Sequence, residues 1–170
     1  AYIMIPTDRD EGEVFSSLGH GGEIQFDIPL KKAGKPRTAF PTLGFGGGYA
    51  YSVTSNKTFS EYTADITTQR LMGHGTLGVR ILTGFLGIEP RAGYGFTRTI
   101  YDFDNFSNCE SCKEELTKDF HRLNYEFYLH VPFGMKKQNY GLLLGARFLH
   151  DFLNHDNENH LFLLKAGLTF

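Results

Sequence analysis

The chain has 170 residues, a formal net charge of −2 and a hydrophobic fraction of 41%. That length is one domain, residues 1–170. The near-neutral balance gives no electrostatic footprint for a nucleic-acid partner, and no apolar run approaches the roughly 18 residues of a membrane-spanning helix. Twenty glycines together with 16 Phe and 9 Tyr point to β structure, in which aromatic rings pack well and glycine permits close backbone approach.

Taken in chain order, the predicted elements are strands whose character alternates with period two. Tyr2–Pro6 is a short first strand, assigned because single-chain bacterial barrels have an even strand count. In the second, Ile24, Phe26, Ile28 and Leu30 oppose Glu23, Gln25 and Asp27. In the third, Leu43, Phe45, Tyr49, Tyr51 and Val53 oppose Gly44, Gly46, Gly48, Ala50 and Ser52. The fourth sets Leu77, Val79 and Ile81 against Thr76, Gly78 and Arg80 and reaches back to about Ser60. The fifth sets Ile88, Pro90, Ala92, Tyr94 and Phe96 against Glu89, Arg91, Gly93 and Gly95. The sixth has the cleanest alternation, Leu123, Tyr125, Phe127, Leu129 and Val131 against Arg122, Asn124, Glu126, Tyr128 and His130. In the seventh, Leu142, Leu144, Ala146 and Phe148 oppose Gly141, Gly145, Arg147 and Asp151. In the last, Phe162, Leu164, Ala166, Leu168 and Phe170 oppose Lys165, Gly167 and Thr169, with Leu161 and Leu163 on the polar side.

Apolar faces outward and charged or glycine-rich faces inward are what a strand needs when lipid lies outside and a crowded polar interior lies inside. The expected fold is therefore all-β, an eight-stranded antiparallel up-and-down transmembrane β-barrel. A lipocalin-like soluble barrel would reverse the alternation. Short turns at residues 83–84 and 134–139, and a longer one at 31–41, fall on the side of the C-terminus. Residues 7–13, 54–59, 103–118 and 154–159 are expected as loops on the opposite side, which carries the carboxylates, whereas the turn side is lysine- and arginine-rich. Phe40, Phe85, Phe133, Tyr140 and Phe170 are expected to form an interfacial aromatic girdle at the turn side.

The inward set predicted to carry charge is Glu23, Asp27, Arg70, Arg80, Glu89, Arg91, Arg122, Glu126, Arg147, Asp151 and Lys165. An eight-stranded interior is only wide enough to be filled by side chains, and buried charges must pair. The first reading is a salt-bridge network that fills the lumen. The alternative is a narrow polar conduit for ions or small solutes, for which Gly44, Gly46 and Gly48 leave one wall bare. Cys109 and Cys112, three apart in the longest outer loop, read first as a local disulfide in an oxidising compartment. Lys113, in place of histidine after Cys112, excludes haem attachment, and neither a cofactor nor a metal is expected.

The whole-chain pattern resembles the small eight-stranded bacterial outer-membrane barrels, the OmpA transmembrane domain and OmpX among them, and the final strand with Gly167 and Phe170 is similar to their C-terminal assembly signal. The resemblance implies a cell outer membrane of Gram-negative type and a non-enzymatic structural or surface-interaction role. It also implies outer-membrane lipid and lipopolysaccharide as surroundings, the barrel assembly machinery as a partner and possible protein partners at the outer loops. A shorter stretch, Gly145 to His150, resembles the lipid A deacylase PagL, whose family uses a His-Ser-Glu set facing the outer leaflet. His150 matches the base, but the serine expected two residues later is Phe152, so a lipid A-modifying enzyme is kept only as an alternative.

Overall fold

The computed structural model describes residues 1–6, 19–30, 39–59, 62–83, 86–104, 114–132, 141–151 and 160–169. They form eight strands in chain order: β1 (Tyr2–Pro6), β2 (Gly19–Pro29), β3 (Ala39–Phe59), β4 (Tyr62–Leu82), β5 (Gly87–Asp104), β6 (Glu114–Pro132), β7 (Gly141–Asp151) and β8 (His160–Thr169). Each strand pairs antiparallel with its sequence neighbours, and β1 pairs antiparallel with β8, so the sheet closes into an up-and-down barrel.

Closure follows from the alternation. Even-numbered residues of β2, β7 and β8 and odd-numbered residues of β3, β4 and β6 face outward, and a band of exposed large apolar side chains runs across those faces. They include Ile24 and Phe26 on β2, Phe45 on β3, Leu71 and Leu77 on β4, Tyr125 and Phe127 on β6, Leu144 on β7 and Leu164 and Leu168 on β8. The opposite faces hold the buried polar residues, among them Thr42, Arg70, Glu89, Arg91, Arg122, Glu126 and Arg147. This is a protein turned inside out, and only a hydrocarbon exterior stabilises it.

The four central strands are long, 21 residues for β3, 21 for β4, 18 for β5 and 19 for β6. Three expectations are corrected here. Residues 54–59 belong to β3 rather than to a loop, and Lys57, Thr58 and Phe59 still pair with Ala64, Thr63 and Tyr62 after a register shift. The expected loop at 103–118 is partly strand, with Phe103 paired to Glu114. The expected turn at 31–41 ends earlier, because Ala39, Phe40 and Pro41 pair with Ile81, Arg80 and Val79.

Phe40 is also corrected. It does not belong to an outer girdle: its register partner is inward-facing Arg80, it is buried, and the Arg80 guanidinium lies 5.9 Å from its ring centroid. A cation over an aromatic face is a favourable contact inside a packed lumen. The other girdle candidates, Phe85, Phe133, Tyr140 and Phe170, lie outside the described side chains.

Gly93 marks the tightest approach between strands. A Cβ there would sit 2.6 Å from Thr76 Cα and closer still to the Gly75 carbonyl, so β4 and β5 would have to part. At Gly73, on the outward face of β4, a Cβ would meet nothing within 4 Å. Gly93→Ala is therefore expected to lower the stability of the detergent-folded barrel by about 1–3 kcal/mol. Gly73→Ala is expected to stay within about 0.5 kcal/mol of the parent. Urea unfolding of the two variants side by side measures the difference.

Candidate functional site: the charged lumen

The inward faces of seven strands converge on one connected polar network. Nearest the turn side, Glu89 on β5 is fully buried. It accepts from Arg80 Nε (2.8 Å) and from the Thr42 hydroxyl, contacts His130 Nε2 (2.9 Å) and pairs with Arg91 (3.0 Å). Arg91 in turn forks onto both oxygens of Asp27, at 2.6 and 2.7 Å. A guanidinium presents its donors in a planar fork that suits a carboxylate, so this pair fixes orientation as well as charge.

The second half sits one layer further out. Arg147 on β7 donates to both oxygens of Glu23 on β2, at 3.0 and 2.9 Å, and through Nε to Glu126 on β6. Lys165 on β8 donates to Glu23 (2.9 Å) and to the Tyr128 hydroxyl (3.0 Å). His74 Nε2 on β4 lies 2.8 Å from Arg147 and 3.4 Å from Glu23. Tyr128 and Gln25 join the halves: the Tyr128 hydroxyl donates to Gln25 Oε1 (3.1 Å), Gln25 Nε2 donates to Asp27 (2.9 Å), and the Arg91 guanidinium lies over the Tyr128 ring at 5.0 Å.

Charge closes within this network. The carboxylates Glu23, Asp27, Glu89 and Glu126 meet the cations Arg80, Arg91, Arg147 and Lys165. The glycines of β3 provide the space. A Cβ on Gly44 would lie 2.5 Å from an Arg91 nitrogen and 3.2 Å from Asp27, and one on Gly46 would lie 2.9 Å from the His74 ring. Gly78 does the same on β4, where a Cβ would meet Arg91 Cγ at 2.5 Å. The wall that sequence alone left bare is occupied by side chains from the neighbouring strands β2 and β4 and from β5.

Toward the outer end the lumen changes character. Ala50, Met72, Leu149, Leu161 and Leu163 form a buried apolar cluster directly above the charged layers. Beyond it lie Arg70 and Arg122, both buried, with Arg122 4.7 Å from the Phe120 ring centroid. Arg122 is the register partner of Asp151, whose side chain is outside the described set. Lys165, Arg147, Glu126 and Glu23 are thus in one cluster, Asp27, Arg80, Glu89 and Arg91 in the other, and Arg70 and Arg122 in neither.

Sequence reasoning missed Thr42, Gln25, His74, Tyr128 and His130 as network members and did not foresee the apolar collar. Side-chain parity already put all of them on the inner face. Nothing in the sequence gave the register that decides which inward side chains meet.

Other candidates lie elsewhere. Cys109, Cys112 and Phe170 are outside the described residues, and Gly167 is the register partner of Leu143 on β7. His150 is on the outward face of β7 and is the register partner of His160 on β8. Phe152, at the position where a deacylase motif requires serine, is outside the described residues. Above the apolar belt the outer surface carries a bidentate Arg98–Asp119 pair at 2.8 Å for both bonds, a Tyr94–His121 hydrogen bond and a Tyr49–Gln69–Asp102 chain. Among the described residues, no group of three or more His, Cys, Asp or Glu side chains is arranged to hold a metal ion.

No family model matches the chain, and no curated protein does. Among solved structures the chain is similar to the crystal structure of Ail, the attachment invasion locus protein of Yersinia pestis, at 13% identity and a TM-score of 0.39. It is similar to the same protein in complex with the heparin analogue sucrose octasulfate, at 13% identity and a TM-score of 0.41. Both alignments cover 91% of this chain and 97% of the other. The closed antiparallel barrel with an apolar exterior and a charged interior is the architecture of bacterial outer-membrane proteins, and the chain is an outer-membrane β-barrel.

The network yields a graded prediction. Glu89→Ala leaves Arg80 and Arg91 short of a partner in a buried setting and is expected to lower stability by about 3–5 kcal/mol. Arg98→Ala removes an exposed pair and is expected to leave the unfolding midpoint unchanged. Urea titration of both variants in the same detergent tests the contrast.

Proposed function

We propose that the chain is a sealed outer-membrane anchor that raises a four-stranded β-sheet above the lipid for contact with an extended, basic partner at the cell surface. The observation that supports this is the inequality of strand length. β3–β6 have 21, 21, 18 and 19 residues, whereas β1, β2, β7 and β8 have 5, 11, 11 and 10. A strand of about 20 residues rising about 3.3 Å per residue, tilted by about 45°, climbs about 47 Å. That is nearly twice an apolar band of about 25 Å.

The surplus lies at the outer end. Pairing between β2 and β3 stops at Tyr51, and pairing between β6 and β7 stops at Arg122. Among the described residues, β3 beyond Tyr51 and β6 before Arg122 therefore have a strand neighbour on one side only. Such edges accept an added strand through main-chain hydrogen bonds. Charge favours a basic one: Asp65 is the register partner of Asp104 and Asp102 of Glu115, and with Asp119 they outnumber Arg98 and Lys118.

The filled lumen supports an anchor rather than a conduit, and the reading has no catalytic step. Outer-membrane lipid and lipopolysaccharide are the surroundings of the apolar belt. The barrel assembly machinery is the partner that inserts the chain, with Gly167 and Phe170 in the signal it reads.

The test is a variant in which residues 55–65 and 100–117 are replaced by short turns, compared with the full chain for binding of an alternating Lys-Thr peptide by fluorescence anisotropy. The expected outcome is a shortened barrel that keeps its heat-modifiable mobility and binds the peptide at least tenfold more weakly (a loss of about 1.4 kcal/mol or more). Equal binding by the two forms overturns the reading.

A further inference from the structure

Three outward-facing histidines, His20 on β2, His121 on β6 and His150 on β7, stand at one height on the barrel. The height follows from the registers. Following register partners once round the sheet from Pro29 on β2, through Thr42, Gly78, Arg91, Glu126, Arg147, Leu163 and Met4, returns to β2 at Gly19. The row of partners thus climbs the ten residues from Pro29 to Gly19 in one circuit, and a level circle departs from it by about 1.25 residues per strand. The row through His150 descends by Leu123, Tyr94, Gly75 and Phe45 to Phe26. Corrected over those five steps, by about six residues, the residue of β2 level with His150 is His20. One step of the same correction brings His121, two residues above Leu123, to within about one residue of that level.

This level is the upper limit of the apolar belt. The outward positions below His20 are Gly22, Ile24, Phe26 and Ile28, and those below His121 and His150 are Leu, Tyr, Phe, Val and Ala throughout. His20 is exposed, and His121 and His150 are partly so. Aromatic rings flank them as they do at a headgroup layer: Tyr51 lies edge-on to His20 at 6.1 Å and Phe96 edge-on to His121 at 5.6 Å. The Tyr94 hydroxyl and His121 Nδ1 share a hydrogen bond.

The neighbouring strands leave this level open to anions. His20 stands between Ile3 on β1 and Tyr51 on β3. His150 stands between Leu123 on β6 and His160 on β8, with Asp151 next in the chain. The ionic groups beside His121 are Asp119 and Arg98, one outward position higher, and they hold each other through both carboxylate oxygens. Imidazole is the side chain that changes charge between about pH 5 and pH 8. Each ring that gains a proton here becomes a cation and a second N–H donor at headgroup depth, and a charge-assisted bond to phosphate is among the strong hydrogen bonds.

We propose that His20, His121 and His150 form a girdle that binds the phosphate groups of outer-leaflet lipid in acid and releases them as the imidazoles lose their protons. The ligand is a phosphorylated membrane lipid, with its acyl chains along the apolar belt and its phosphates at the rings. The site rests on the membrane setting of the barrel and is independent of the outer sheet and of the surface role assigned to it.

The test is equilibrium binding of fluorescent diphosphoryl lipid A to the folded barrel in an uncharged detergent, read by anisotropy at about pH 5.5 and about pH 8. The parent chain is expected to bind about tenfold or more tightly in acid. Dephosphorylated lipid A is expected to bind weakly and equally at both pH values, and excess inorganic phosphate is expected to leave the bound lipid in place. In the triple variant His20→Gln, His121→Gln, His150→Gln, with its fold verified by heat-modifiable mobility, the ratio is expected to fall below about twofold. Binding by the parent that does not change with pH overturns the proposal, as does a triple variant that keeps the parent's ratio. A dephosphorylated lipid that binds with the same pH dependence overturns it on the parent chain alone. Displacement by inorganic phosphate makes free phosphate the ligand and overturns the lipid assignment.

Discussion

The pairing of opposite charges inside the lumen is the constraint on which the rest of this barrel depends. Burying a lone carboxylate or guanidinium costs several kcal/mol even after relaxation, and an eight-stranded interior has no room for the water that would relieve that cost. The ion network meets this with four carboxylates and four cations, placed on β2 and β4–β8, whose contacts run along β5, between neighbouring strands and across the barrel. Arg147 reaches from β7 to β2, and Arg91 from β5 to β2, across the lumen. Such contacts cannot form until the sheet has curled. The network therefore favours the closed barrel over any open arrangement of the same strands.

Space for the network comes from glycine. Arginine is too large for a wall lined everywhere with side chains, and Gly44, Gly46 and Gly78 stand where Arg91 and His74 cross. Bulk on one strand is matched by its absence at the register partner on the next, Arg91 beside Gly78 and His74 beside Gly46. The apolar collar of Met72, Leu149, Leu161 and Leu163 completes the filling above the ions. The apolar cluster and the ion network thus occupy successive levels of the lumen.

Much of this was legible in the sequence where lipid enforces the pattern. From Leu123 to Val131 every outward position is apolar because it meets hydrocarbon, and the strand can be read at sight. The pattern is missing from Thr54 to Phe59, which is strand although its polar run does not alternate, so it reads as loop. Phe40 failed for a different reason. An aromatic at a strand end fits either the interface or the lumen, and only its register with Arg80 decides. Ion-pair partners were illegible throughout, since Glu23 and Arg147 are 124 positions apart and meet only through the curvature of the whole sheet.

Single-channel recording of the folded protein in a planar bilayer, with insertion verified, tests the sealed lumen most directly. A silent membrane is predicted for the parent chain, in keeping with the ion network and the apolar cluster that occupy the lumen. Discrete openings whose size or selectivity changes in Arg91→Ala would contradict the account and make the charged interior a pathway.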